Sequence, residues 1–101
     1  MIVTIFRSRL RTNVEEYPAM AERMEQLATS MPGYVSHKSF LAEDSERLTL
    51  VTFDSEASQA MWKKHPEHLE AQRAGRDIFY SEYHIQVCKV LRQSNFTQGQ
   101  A

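Results

Sequence analysis

The stretch from Trp62 to Tyr83, WKKHPEHLEAQRAGRDIFYSEY, concentrates polar chemistry: it holds the only Trp, two of the four His, two Arg, two Tyr and a Pro. An indole offers a flat apolar face and one N–H donor, which suits Trp62 to stacking on a planar ring. Imidazole titrates near neutrality, so His65 and His68, in the same helical stretch as Trp62, are the expected proton acceptors. Their three-residue spacing also lets both meet one metal on a helix, but the set needs a third ligand such as Glu67 or His84, and no metal is expected. His65 fits as well the N-terminal cap of a helix restarted at Pro66. Arg73 and Arg76 can steady a substrate oxyanion or carboxylate, or pair with Glu70 and Asp77 as a solvated face. Tyr80 and Tyr83 are expected on opposite faces of a strand, so that one lines a given pocket and the other packs elsewhere.

These side chains need elements to hold them. Residues 2–10 are rich in Ile, Val, Thr and Phe. Ile2 and Phe6 fall on one parity and Val3 and Ile5 on the other, a strand covered on both faces. Asn13 and Glu16 have capping-box spacing, and Val14, Tyr17, Ala21, Met24, Ala28 and Met31 recur at helical intervals. The spacing predicts a first helix over 14–31, with Pro18 awkwardly far inside it. MPG closes that helix, and residues 34–41 and 47–53 read as a hairpin. Ser55 caps a helix to about Lys64, which restarts after Pro66 and runs to about Ala74, and residues 78–91 form the last strand. Arg7, Arg9 and Arg11 share one parity and read as a solvated strand end. His37 and His84, the two other candidates for the base, fall on the outer strands of a 4-1-3-2 sheet, where satisfied or solvated rings are expected.

The order β-α-β-β-α-β is the ferredoxin-like, α+β arrangement of an antiparallel sheet with two helices on one face. Leu48 and Leu50 oppose Val51 and Phe53, so the second sheet face is apolar too. A second copy of the same sheet is the expected cover, giving a homodimer. One domain over 1–92 with a polar tail over 93–101 accounts for the 101 residues. A net charge of −1 gives no general attraction to phosphate backbones or anionic lipid. The RNA-recognition fold shares this strand order, but Arg47–Phe53 lacks its basic-Gly-aromatic pattern. No apolar run is long enough to span a bilayer, the start lacks a signal-peptide pattern, and the lone Cys88 reads as a small buried side chain. A cytoplasmic protein with neither nucleic-acid nor membrane partners is expected.

This order, with MPGY after the first helix, the single Trp in the second, HPEHLEAQRAGR following it and the FYSEYHIQVCKVLR ending, resembles the antibiotic biosynthesis monooxygenase (ABM) domain family over about residues 1–92. The resemblance implies a dimeric α/β barrel whose members oxidise electron-rich aromatics, such as anthrones and quinols, with molecular oxygen and without metal or flavin. It also implies a substrate between sheet and helices, with Trp62 at the recurring pocket position. Phe6, Tyr80, Tyr83, Arg73 and Arg76 are the accompanying candidates for contact with a small aromatic, and His65 or His68 for the base that makes its anion. A non-catalytic binding protein with the same pocket is the alternative. The haem-degrading branch needs an Asn on the first strand and a His ten residues after the Trp. This chain has Thr4, Phe6 and Arg7 on that strand and Gln72 at that position.

Overall fold

The computed structural model describes residues 1–12 and 14–99. In chain order the elements are β1 (Ile2–Leu10), α1 (Tyr17–Ser30), β2 (Tyr34–Leu41), β3 (Arg47–Phe53), α2 (Glu56–Lys64), α3 (Pro66–Ala74), a π-helical turn (Gly75–Phe79) and β4 (Tyr80–Lys89). The strands form one antiparallel sheet in the order β2-β3-β1-β4. This is the α+β, ferredoxin-like fold that the order of elements predicted, with all helices on one sheet face.

Helix α1 starts at Tyr17 rather than at residue 14, which places Pro18 in its first turn. A missing N–H costs nothing there, and the locked φ is already helical. The capping role expected of Asn13 lies outside the described residues. Past the end of α1, Gly33 has φ +85°, and a Cβ on it would lie 2.3 Å from the Ser58 hydroxyl and 2.4 Å from the Asp54 carboxylate. Only glycine fits a turn both left-handed and this crowded.

The break at Pro66 follows the expected chemistry. Ser55 Oγ accepts from Ser58 N at 3.2 Å to cap α2, and His65 Nδ1 accepts from Glu67 N at 3.1 Å to cap α3. The chain then departs from expectation. After α3 ends at Ala74, Gly75 opens the π-helical turn at φ −57°, so β4 begins at Tyr80 instead of residue 78. Arg11, expected to be a solvated strand end, explains how the turn persists. Its guanidinium donates to the carbonyls of Arg76, Asp77 and Tyr80 at 2.8, 2.9 and 2.9 Å, satisfying acceptors that a helix end otherwise leaves to water.

Phe53, Val51, Trp62, Leu27 and Ala28 form the core between sheet and helices, with Phe53 fully buried. The other face carries Val3, Ile5, Leu48 and Leu50, all half-buried, together with the exposed Phe40. Beside them Arg7 pairs with Glu46, and Arg9 with Asp44 and Glu82. Beyond Lys89 no helix or strand forms among the described residues, although Val90 N still donates to Met1 O at 3.0 Å. No helix among the described residues is long and apolar enough to cross a membrane.

Candidate functional site

Sheet and helices do not meet everywhere. They leave a cavity of about 190 Å³ whose floor includes Thr4 and Phe6 of β1 and Val51 of β3, and whose roof includes Met20 and Met24 of α1, Trp62 of α2 and His68 of α3. Trp62 belongs to the core and to the cavity wall at once. It is only 7% exposed and packs on Phe53 at 5.4 Å between ring centroids, yet it also lines the cavity.

One end of the cavity is an aromatic cage. Phe6 lies 5.4 Å from Tyr80 at 70° and 5.7 Å from Tyr83, the two tyrosines are 5.9 Å apart, and Tyr17 is 5.8 Å from Tyr80. The expectation that Tyr80 and Tyr83 face opposite sides is therefore wrong. Tyr83 pairs with Ser8 and Tyr80 with Leu10, both on the helix-facing side of β1, because the register slips at Ser81. A bulge adds one residue and reverses the alternation beyond it. Burial raises the Tyr80 pKa well above the usual tyrosine range, with the neighbouring Tyr17 adding to the effect, so this phenol stays neutral. Gly75 backs Tyr80 closely: a Cβ there would lie 2.8 Å from the Tyr80 ring. Gly75→Ala is expected to push that ring out of the cage, destabilising the fold by about 1–3 kcal/mol through overpacking and weakening aromatic binding roughly tenfold. Thermal melts with fluorescence titration of a phenol would check it.

The other wall is polar. The indole N–H of Trp62 is buried without a partner among the described residues, an uncommon state for a buried donor. His68 stands with its ring 4.4 Å from the Trp62 ring, at 67°. Gln72 Nε2 approaches His68 Nδ1 at 2.8 Å and the Lys63 carbonyl at 3.4 Å. A carbonyl accepts only from the amide nitrogen, so the orientation of Gln72 is fixed, Nδ1 accepts, and the neutral ring carries its proton on Nε2. Burial, followed by the positive charges of Lys63 and His65, pushes the His68 pKa down to about 4. At neutral pH His68 is thus a neutral donor, not the base expected of it.

That shift links stability to pH. Between about 4 and 6.5 the unfolded chain binds a proton at His68 that the folded chain refuses, so stability rises with pH across this window and the contribution is complete only above it. Urea unfolding is expected to show the wild type losing up to about 3 kcal/mol more than His68→Gln between pH 7 and pH 4. Parallel curves for the two proteins would contradict the assignment.

The remaining candidates do not join the cavity. His65 is turned to its capping bond. Arg73 pairs with Glu70 and Asp77, and Arg76 gives its carbonyl to Arg11; neither side chain is part of the cavity wall. Among the described residues, no group of three or more His, Cys, Asp and Glu is placed to hold a metal ion. His37, expected to be merely satisfied, does line the cavity, and so does Glu25, a residue no motif marked. A polar residue inside the apolar stripe Ala21-Met24-Ala28 of α1 was the available signal for Glu25. For His37 the imidazole itself was the one signal, because a second register slip, between Tyr34 and Ser36, decides which way it points.

No known family profile matches the sequence. The chain is 35% identical over 95 residues to YqjZ of Bacillus subtilis, an uncharacterized protein, covering 94% of this chain and 83% of that one. It belongs to the same family as YqjZ. The fold is that of the ABM domains. A variant of SnoaB, a cofactor-independent oxygenase from Streptomyces nogalater, superposes with a TM-score of 0.78 at 13% identity over 91% of this chain and 94% of that one. A candidate antibiotic biosynthesis monooxygenase from Deinococcus radiodurans gives 0.73 at 12% identity over 96% and 99%. At such identities the ABM likeness concerns backbone architecture.

Proposed function

We propose that this protein is a cofactor-independent monooxygenase that oxidises a small electron-rich aromatic, a quinol or anthrone-like compound, with molecular oxygen. The observation that carries the reading is the cavity itself, caged by Phe6, Tyr80 and Tyr83 and walled by Trp62, whose buried indole N–H has no partner among the described residues. Its volume of about 190 Å³ is close to the roughly 150 Å³ apolar cavity that accepts a single benzene ring. A hydroquinone suits it better than a tricyclic anthrone, and a tetrapyrrole is too large. The chemistry closes without an external reductant: a hydroquinone and O2 give a hydroxyquinone and water, one oxygen atom entering the ring. The aromatic walls hold the ring and exclude water, while the Trp62 N–H and His68 Nε2–H supply donors for a substrate oxygen as its negative charge develops.

A homodimer through the Val3, Ile5, Leu48, Leu50 face belongs to the same proposal. An apolar sheet face whose nearby charges are paired internally suits a second copy of itself, and a net charge of −1 raises little repulsion between copies.

The test is oxygen uptake by metal-free protein with hydroquinones, naphthohydroquinones and anthrones, against autoxidation. Uptake above autoxidation that falls as ring number rises is the expected result. Saturable binding with no uptake from any member would replace this reading with that of a non-catalytic binding protein, which the neutral, donor-only His68 also suits.

A further inference from the structure

We propose that His37 is the group that receives the proton of a substrate hydroxyl in this cavity, with Tyr34 and Glu25 as its positioning residues. The proposal rests on the oxygenase reading only for the fate of the substrate anion once that proton has left.

The other three His residues are engaged or turned away. His65 caps α3, and His68 is a neutral donor with Nδ1 held by Gln72. His84 pairs with Arg7 on the sheet face opposite the helices. His37 lines the cavity, hydrogen-bonded at one ring nitrogen and facing a carboxylate at the other. Nδ1 is 2.5 Å from the Tyr34 hydroxyl, and Nε2 is 3.8 Å from the Glu25 carboxylate. Tyr34 is itself fixed edge-on against the fully buried Phe53, at 6.3 Å and 82°. The slip in register near Val35 is what puts Tyr34 and His37 on one face, three residues apart on a strand.

A phenol hydroxyl can accept as well as donate. When Tyr34 Oη accepts from Nδ1–H, the lone pair of the ring lies on Nε2, the nitrogen on the Glu25 side. The Nε2–Glu25 separation is too long for a formed hydrogen bond but short enough for the carboxylate to stabilise an imidazolium. In the step itself the substrate O–H bond breaks, an N–H bond forms at Nε2, and the electron pair remains on the substrate oxygen. A neutral pair becomes a cation and an anion, and the anion is the species able to give an electron to oxygen. The ring's own partners are Tyr34 of β2 and Glu25 of α1, and the other titratable groups lining the cavity are Tyr17 from α1, Lys63 from α2, His68 from α3 and Tyr80 and Tyr83 from β4; its sheet partner Val51 carries no charge.

The probe is 4-nitrophenol, a single ring whose anion absorbs visible light. Titrated with saturating wild-type protein, its apparent pKa is expected to fall by about one unit relative to free nitrophenol. His37→Gln is expected to bind it with the shift abolished, and Glu25→Gln, at a half-exposed position, to retain about half. Equal shifts in wild type and His37→Gln, no shift in wild type, or no binding of the probe would each overturn the proposal. With hydroquinone, kcat/KM of His37→Gln is expected to fall about 10²-fold at pH 7, the deficit closing above the substrate's own pKa, where it arrives ionised. A deficit that is uniform across pH means a role in packing and also overturns it. A normal nitrophenol shift without oxygen uptake would remove the oxygenase reading and leave His37 as the acceptor, whereas uptake indifferent to His37→Gln would do the reverse.

Discussion

Trp62→Ala is expected to destabilise the protein by about 3–5 kcal/mol and to lower oxygen uptake to the autoxidation rate. The two losses share one cause, because the indole is at once a core side chain against Phe53 and a wall of the cavity. Against a total stability of roughly 5–15 kcal/mol for a chain of this size, the alanine variant sits near the edge of folding. Trp62→Phe separates the roles. It keeps most of the apolar volume and removes the only N–H in the indole, so a modest loss in melting temperature should accompany a large loss in turnover. Urea unfolding and oxygen uptake on the same preparations would check this, and full activity in the Phe variant would show that the unpartnered N–H has no part in the reaction.

Leu50→Lys is expected to turn a dimer into a monomer. Leu50 lies on the outward sheet face beside Ile5, its partner in the β1–β3 ladder. In a twofold interface each substitution counts twice. With about 2 kcal/mol lost per buried apolar anchor, association weakens by roughly three orders of magnitude. Sedimentation equilibrium should give twice the 11.8 kDa chain mass for the wild type and once for the variant. Because the face lies across the sheet from the cavity, nitrophenol binding should survive in the monomer. A wild type that is monomeric at all concentrations would refute the proposed dimer.

Much of this architecture was legible in the residue pattern, and for identifiable reasons. Apolar residues at helical spacing between Tyr17 and Ala28, Ser55 before a helical run, and His65-Pro66 inside one each specify a local geometry through contacts a few residues long. Such contacts survive in any fold, so the elements, their order and the capping role of His65 could be read directly. Trp62 was likewise marked, by its type and by its place in the second helix.

The site was less legible because two register slips build it. Plain alternation puts Tyr80 opposite Tyr83 and separates Tyr34 from His37. The slips at Ser81 and near Val35 bring both pairs to the helix-facing side. A bulge is set by how neighbouring strands share hydrogen bonds, which no run of side-chain types within one strand records. The π-helical turn is not written in the local sequence for a similar reason: the Arg11 guanidinium that satisfies its carbonyls comes from the far end of the chain.

The roles of the histidines divide along the same line. By itself the sequence determined that four imidazoles exist, that two share a helix with Trp62, and that a cap was needed after Pro66. Only the tertiary structure decided which ring is which: burial beside Lys63 makes His68 a neutral donor, and the meeting of β2 with α1 sets His37 between Tyr34 and Glu25. Residue type and spacing set local conformation, whereas protonation and facing arise from desolvation and charge across elements, which exist only once the chain has folded.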